Sequence, residues 1–126
     1  MSYKSADILI NEKLKLEVVE GNIYYIRYAD NITIEVEDIK IVKSFFDSLP
    51  EPKPLFTVSE FGVYSSITPE ARTYAADISP NLLKSAYVIK GLAQRLLVKF
   101  YIKMQKRKRE TKVFQTYEAA YNWINS

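Results

Sequence analysis

The chain has 126 residues, 48% hydrophobic and 26% charged, with no cysteine, no histidine and a formal net charge of +3. That length suits one domain, spanning residues 1–126, whose core needs neither disulfides nor metal. The missing Cys and His remove thiol chemistry, most zinc sites and the commonest acid–base group at neutral pH, so the composition points away from an enzyme and requires no cofactor.

Charge is unevenly placed: residues 1–83 carry eight Lys/Arg against thirteen Asp/Glu, whereas residues 84–112 carry ten against Glu110 alone. Such asymmetry steers binding and says nothing about fold. No apolar run approaches the roughly 20 residues that a membrane-spanning helix needs. The first residues, Met1-Ser-Tyr-Lys-Ser-Ala-Asp7, lack the apolar segment of a secretory signal. A cytoplasmic location is the expectation.

Residues 8–19 alternate apolar and polar through Leu14, Leu16 and Val18, which predicts a half-buried strand. Glu20-Gly21-Asn22 supplies turn chemistry, and the β-branched and aromatic residues 23–28 complete a hairpin. Ile39, Val42, Phe46 and Leu49 then fall at helical spacing behind Glu35, Glu37 and Asp38, acids that suit a helix N-terminus. The prolines at 50, 52 and 54 stop that helix, and residues 55–58 read as a short buried strand.

Thr68-Pro69-Glu70 is a helix start, with a hydroxyl cap, proline at the first position and an acid in the first turn. Ser79-Pro80 repeats the signal and predicts a short helical turn through Leu83; residues 85–89 form the next strand. Over residues 92–106 the apolar positions Leu92, Ala93, Leu96, Leu97, Phe100, Tyr101 and Met104 share one broad helical face, predicted to pack on the core. A basic stripe of Arg95, Lys99, Lys103 and Lys106 runs beside it. A strand at 112–115 and a helix capped by Thr116, with Tyr117, Ala120, Tyr121 and Ile124 on one face, finish the chain. The order is β-β-α-β-α-β-α-β-α, an α/β class with a mixed sheet and packed helices.

Three pieces carry a family resemblance: Thr68-Pro-Glu-Ala-Arg72-Thr-Tyr-Ala75; Ser85-Ala-Tyr-Val-Ile-Lys90 with the long helix containing Phe100; and Thr111-Lys-Val-Phe114-Gln-Thr-Tyr-Glu118-Ala-Ala-Tyr-Asn-Trp123-Ile124. Together with the element order, they resemble the SpoIIAA-like or STAS fold of anti-sigma-factor antagonists. The match is nearer to a branch of small bacterial proteins labelled STAS/SEC14-like and common in Bacteroidetes. The resemblance implies a single-domain SpoIIAA/STAS-like fold and a non-enzymatic regulatory or protein-interaction role. The SEC14-like label, with ten tyrosines, adds the alternative of a carrier or sensor of a small apolar, lipid-like ligand.

Antagonists of this fold carry a phosphorylatable serine, usually in an Asp-Ser pair, where the helix after the third strand begins. Here Ser65, Ser66 and Thr68 are hydroxyls in that region, with no Asp before them. With Arg72, one turn into the helix, they make the candidate partner or phospho-loop. Arg95, Lys99, Lys103, Lys106, Arg107, Lys108 and Arg109 make a second candidate, a weak anion-binding stripe. It lacks interleaved aromatics and any helix-turn-helix, RRM or KH signature, so no sequence-specific nucleic acid is expected. No Walker loop, GxGxxG, GxSxG or HExxH occurs. A protein partner, or a second copy meeting at an open strand edge, completes the expectations.

Overall fold

The opening alternation becomes two strands rather than one. Asn11 Oδ1 accepts from the Lys13 and Leu14 main-chain N–H groups at 2.8 and 3.0 Å, and this side-chain turn breaks the predicted strand over 8–19. It separates β1 (Leu9–Ile10) from β2 (Leu14–Glu20), which pair antiparallel. β2 turns at Gly21, where φ is 53°, and pairs antiparallel with β3 (Ile23–Tyr28). The computed structural model describes residues 9–49, 54–76, 82–105 and 109–126.

From β3 the sheet continues in parallel through β5 (Leu55–Glu60), β7 (Leu82–Val88) and β8 (Glu110–Phe114), giving the order β1-β2-β3-β5-β7-β8. The parallel connections are made through α1 (Val36–Asp47), α2 (Pro69–Ala75) and α3 (Leu92–Met104), and α4 (Tyr117–Ile124) ends the chain. Among the described residues, a small parallel ribbon of β4 (Thr33–Ile34) and β6 (Ser66–Ile67) is the only addition to the predicted order besides β1.

Caps follow the sequence signals. Thr68 Oγ1 accepts from Ala71 N at 3.1 Å and Thr116 Oγ1 from Ala119 N at 3.2 Å. Asp38 accepts from Glu35 N at 2.8 Å at the start of α1. Leu82 and Leu83 belong to β7, so the helical turn predicted through Leu83 does not extend that far; Ser79 and Pro80 lie outside the described residues.

Period-two alternation sorts the sheet into two faces. Ile23, Val58, Ala86 and Val88 pack on one side with Ala120 and Ile124 of α4. There Phe114 meets Trp123 at 5.7 Å, which gives the terminal motif its packing role. Leu14, Leu16, Tyr24, Ile26, Leu55 and Leu82 pack on the other side, with Ile39, Val42 and Phe46 of α1 and Ala71 of α2. Each such large apolar side chain contributes about 1.5–3 kcal/mol on burial.

α3 departs from expectation. Leu92, Leu96, Leu97, Phe100 and Met104, predicted for the core, are between 50% and 69% exposed. Of that predicted face Tyr101 alone is half-buried, and Gln94 and Val98 from outside it are half-buried beside it. Polar contacts orient it: Gln94 Nε2 donates to Ser65 O at 2.9 Å, and the Arg72 guanidinium stands 3.7 Å from the Tyr101 ring centre. Arg95 Nη1 donates to the carbonyls of Ile89 and Lys90 at 3.0 and 2.7 Å.

Candidate functional site: a cavity roofed by the third helix

Parallel strands buried on both faces ordinarily present large aliphatic side chains. β5 and β7 instead turn Thr57, Ser59 and Ser85 toward the helices, all of them buried. Small side chains at the middle of the sheet leave space, and a cavity of about 110 Å³ lies between them and α1, α2 and α3. Its apolar wall includes Ile26, Ile34, Ile39, Val42, Phe46 and Leu82. Gln94, Val98 and Tyr101 line it from α3. Tyr28 and Tyr87 also line it, and Phe61 joins them, stacked on Tyr28 at 5.2 Å and edge-on to Tyr87 at 5.5 Å.

The polar lining is unusual in sign. Arg72 and Arg109 line the cavity, whereas no carboxylate of the described residues does. Arg109, only 8% exposed, donates from Nε to Ser85 Oγ at 2.7 Å and from Nη1 to Ala76 O at 2.8 Å. Its Nη2 donates to Ala75 O at 2.9 Å and to the Tyr87 hydroxyl at 3.3 Å. The Ala75 and Ala76 carbonyls close α2, whose C-terminal end favours a cation. Ser85 Oγ lies 3.1 Å from Thr57 Oγ1, so a hydrogen-bonded chain runs from Arg109 through Ser85 to Thr57.

Two buried hydroxyls that line the cavity have no hydrogen-bond partner among the described residues: Ser59, 6% exposed, and Tyr28. Burial pushes the Tyr28 phenol well above its ordinary range, so it stays protonated and available as a donor at neutral pH. Buried hydroxyls without partners are costly, and each calls for an explanation.

The sequence-predicted residues do not form one site. Thr68 is engaged in capping α2, and Ser65 is buried with its Oγ donating to Gly62 O at 2.8 Å. Ser66 is exposed, 3.4 Å from Thr33 Oγ1, and beside the loop Val63 and Tyr64 face solvent. Arg72 turns to Tyr101 and the cavity. Of the basic stripe, Lys99 and Lys103 are exposed on α3, Arg95 is held by main-chain carbonyls, and Lys106, Arg107 and Lys108 lie outside the described residues. Arg109 is a correction: it is not part of a solvated stripe, because its guanidinium is drawn inward by Ser85 and the end of α2.

Sequence reasoning missed Thr57, Ser59 and Ser85. Their signal was there, as hydroxyls at alternate positions of strands that are otherwise apolar on that face. Among the described residues no helix is long and apolar enough to cross a membrane, and no group of His, Cys, Asp or Glu is placed to hold a metal ion.

In comparison with solved structures, the fold is similar to that of a protein from Shewanella loihica PV-4, described as a DUF3478-family member with a SpoIIAA-like fold. The TM-score is 0.59 at 11% identity, over 88% of this chain and 91% of that one. That likeness agrees with the SpoIIAA-like fold expected from the sequence and extends to fold alone. No curated protein matches. With a family profile matching residues 16–126, the chain belongs to the family described as Domain of unknown function (DUF7793).

Proposed function

We propose that the protein is a non-enzymatic binding domain that carries or senses a small, mainly apolar ligand in the cavity beneath α3. The cavity is the observation that supports this reading. An aliphatic wall faces a few convergent polar groups, the usual composition of a ligand site. Its volume of about 110 Å³ is somewhat below the roughly 150 Å³ that accommodates benzene. A longer ligand therefore needs α3 to lift. α3 has no fully buried residue among those described and is seated by side-chain contacts, features of an element that opens at low cost. Native mass spectrometry of protein purified from its own host should show a bound small molecule. Ser59→Leu, which fills the space with three carbons in place of one oxygen, should remove it while leaving the circular dichroism unchanged. A bare wild-type mass, or an adduct retained in folded Ser59→Leu, would count against the cavity as the site.

A second reading, regulation through a partner protein, is favoured by the exposed row Leu92, Leu96, Phe100 and Met104, an apolar strip of the kind that marks contact surfaces. Lys99 and Lys103 flank it, so the fitting partner presents an apolar strip edged by carboxylates. A photo-reactive residue at position 96 would identify such a partner in host cells. With both proteins purified, Phe100→Glu should then weaken the complex at least tenfold, and unchanged affinity would sink the reading.

A further inference from the structure

The charge on the cavity wall specifies more than an apolar ligand. Arg109 is more than nine-tenths buried, and neither it nor Arg72 forms an ion pair with a carboxylate of the described residues. Taking a guanidinium held only by neutral partners out of water is expensive without an anion. The α2 carbonyls, Ser85 and Tyr87 satisfy four of its five N–H groups and leave one Nη1 hydrogen. The hydroxyls of Ser59 and Tyr28, without partners among the described residues, add two further donors in the cavity lining.

We propose that the ligand is an amphipathic carboxylic acid, with its carboxylate on the Arg109, Ser59 and Tyr28 side and its hydrocarbon against Ile34, Ile39, Val42 and Phe46. This rests on the reading of the cavity as a ligand site. A carboxylate fits the donor set: its two oxygens offer about four acceptor positions, enough for one guanidinium N–H and several hydroxyls. Thr57 completes the set. Ser85 accepts from Arg109 and can pass its own hydrogen to Thr57, which leaves the Thr57 hydroxyl hydrogen for an oxygen in the cavity. A phosphate dianion suits it less, because one of the two guanidiniums is already stacked on Tyr101 and no lysine of the described residues lines the space. The same arrangement disfavours amines, which would meet two like charges and no acid of the described residues.

The test compares probes of equal tail length, hexanoate, 1-hexanol, hexylamine and hexyl phosphate, by calorimetry and by amide shifts in nuclear magnetic resonance at neutral pH. Hexanoate should bind at least tenfold tighter than each of the others, with shifts at residues 57–59, 85–87 and 94–101. Arg109→Gln should abolish that preference. Because Arg109 also closes α2, Arg72→Gln provides a second variant, expected to reduce it several-fold; the wild-type comparison stands without either. Equal affinity for hexanoate and 1-hexanol, or tighter hexyl phosphate, overturns the carboxylate and leaves the cavity reading intact. Failure of all four probes, and of acids from four to twelve carbons, overturns both.

Discussion

Gly62→Ala is expected to destabilise the protein by about 3 kcal/mol or more, beyond the usual range for overpacking because the obstacle is main chain. A Cβ at position 62 would stand 2.5 Å from the carbonyl carbon and oxygen of Ala29 and 2.6 Å from the nitrogen of Asp30. Those atoms are not free to move. Ala29 N donates to Lys13 O at 2.8 Å, Asn31 N donates to Val63 O at 2.9 Å, and Asp30 Oδ1 accepts from Val63 N at 2.8 Å. Relieving the clash breaks the seam that joins the end of β3 to the loop after β5. The same loop carries Ser65, whose carbonyl holds Gln94 of α3, so the variant should also loosen the cavity roof. The melting temperature should fall by about 10 °C or more for a domain of this size. Hydrogen exchange should quicken in α3 ahead of α4. A variant melting within a degree of the wild type would show that the close approach of the two segments is not required.

The legible and illegible parts of this molecule differ in physical kind. Caps and turns are local chemistry, so Thr68-Pro69, Thr116 and Gly21 announced two helices and a hairpin where they occur. Element order followed from periodicity for the same reason. The orientation of α3 was not local. Its apolar face has the stronger hydrophobic pattern, yet apart from Tyr101 that face stays outside, because Gln94, Arg95 and Tyr101 are held by the Ser65 carbonyl, the Ile89 and Lys90 carbonyls, and Arg72. Arg109 was misplaced similarly. In sequence it continues a run of basic residues, and only the juxtaposition of β7 with the end of α2 makes a buried place for a guanidinium. The cavity is itself a non-local property. Thr57 and Ser85 each read as an ordinary strand residue and Ser59 fell just past the predicted strand; they become a floor once parallel pairing sets β5 beside β7, with Thr57 opposite Ser85.

Lys13→Met is expected to cost about 2–3 kcal/mol, toward the low side of what removing one partner of a buried ion pair costs. Asp38 is 7% exposed, and its carboxylate depends on Lys13 Nζ at 2.9 Å and on the Glu35 N–H at 2.8 Å. Lys13 also donates to Thr33 O at 2.9 Å and to Glu35 Oε1 at 3.3 Å, so one ammonium ties the turn after β1 to β4 and to the start of α1. Methionine keeps most of the aliphatic stem and removes all three donors, which isolates the electrostatic part of the loss. The lysine side chain is 31% exposed, and solvent reaching it is the reason for the lower figure. The hydrogen bond to Asp38 is the largest influence holding the Lys13 pKa above its ordinary value of 10.5. The contribution is therefore full below that pH and lost as pH rises through the higher folded value. Asp38→Asn placed in the Lys13→Met background should recover part of the stability by removing the stranded charge, with a coupling of about 1 kcal/mol or more in a double-mutant cycle. Strict additivity of the two substitutions in urea unfolding would show that the pair does not act as a unit. Ile34 and Ile39, directly beside these anchors in sequence, both line the cavity. Under the carboxylic-acid proposal, weakening the tie should therefore lower the affinity for hexanoate as well as stability, although Lys13 does not line the cavity.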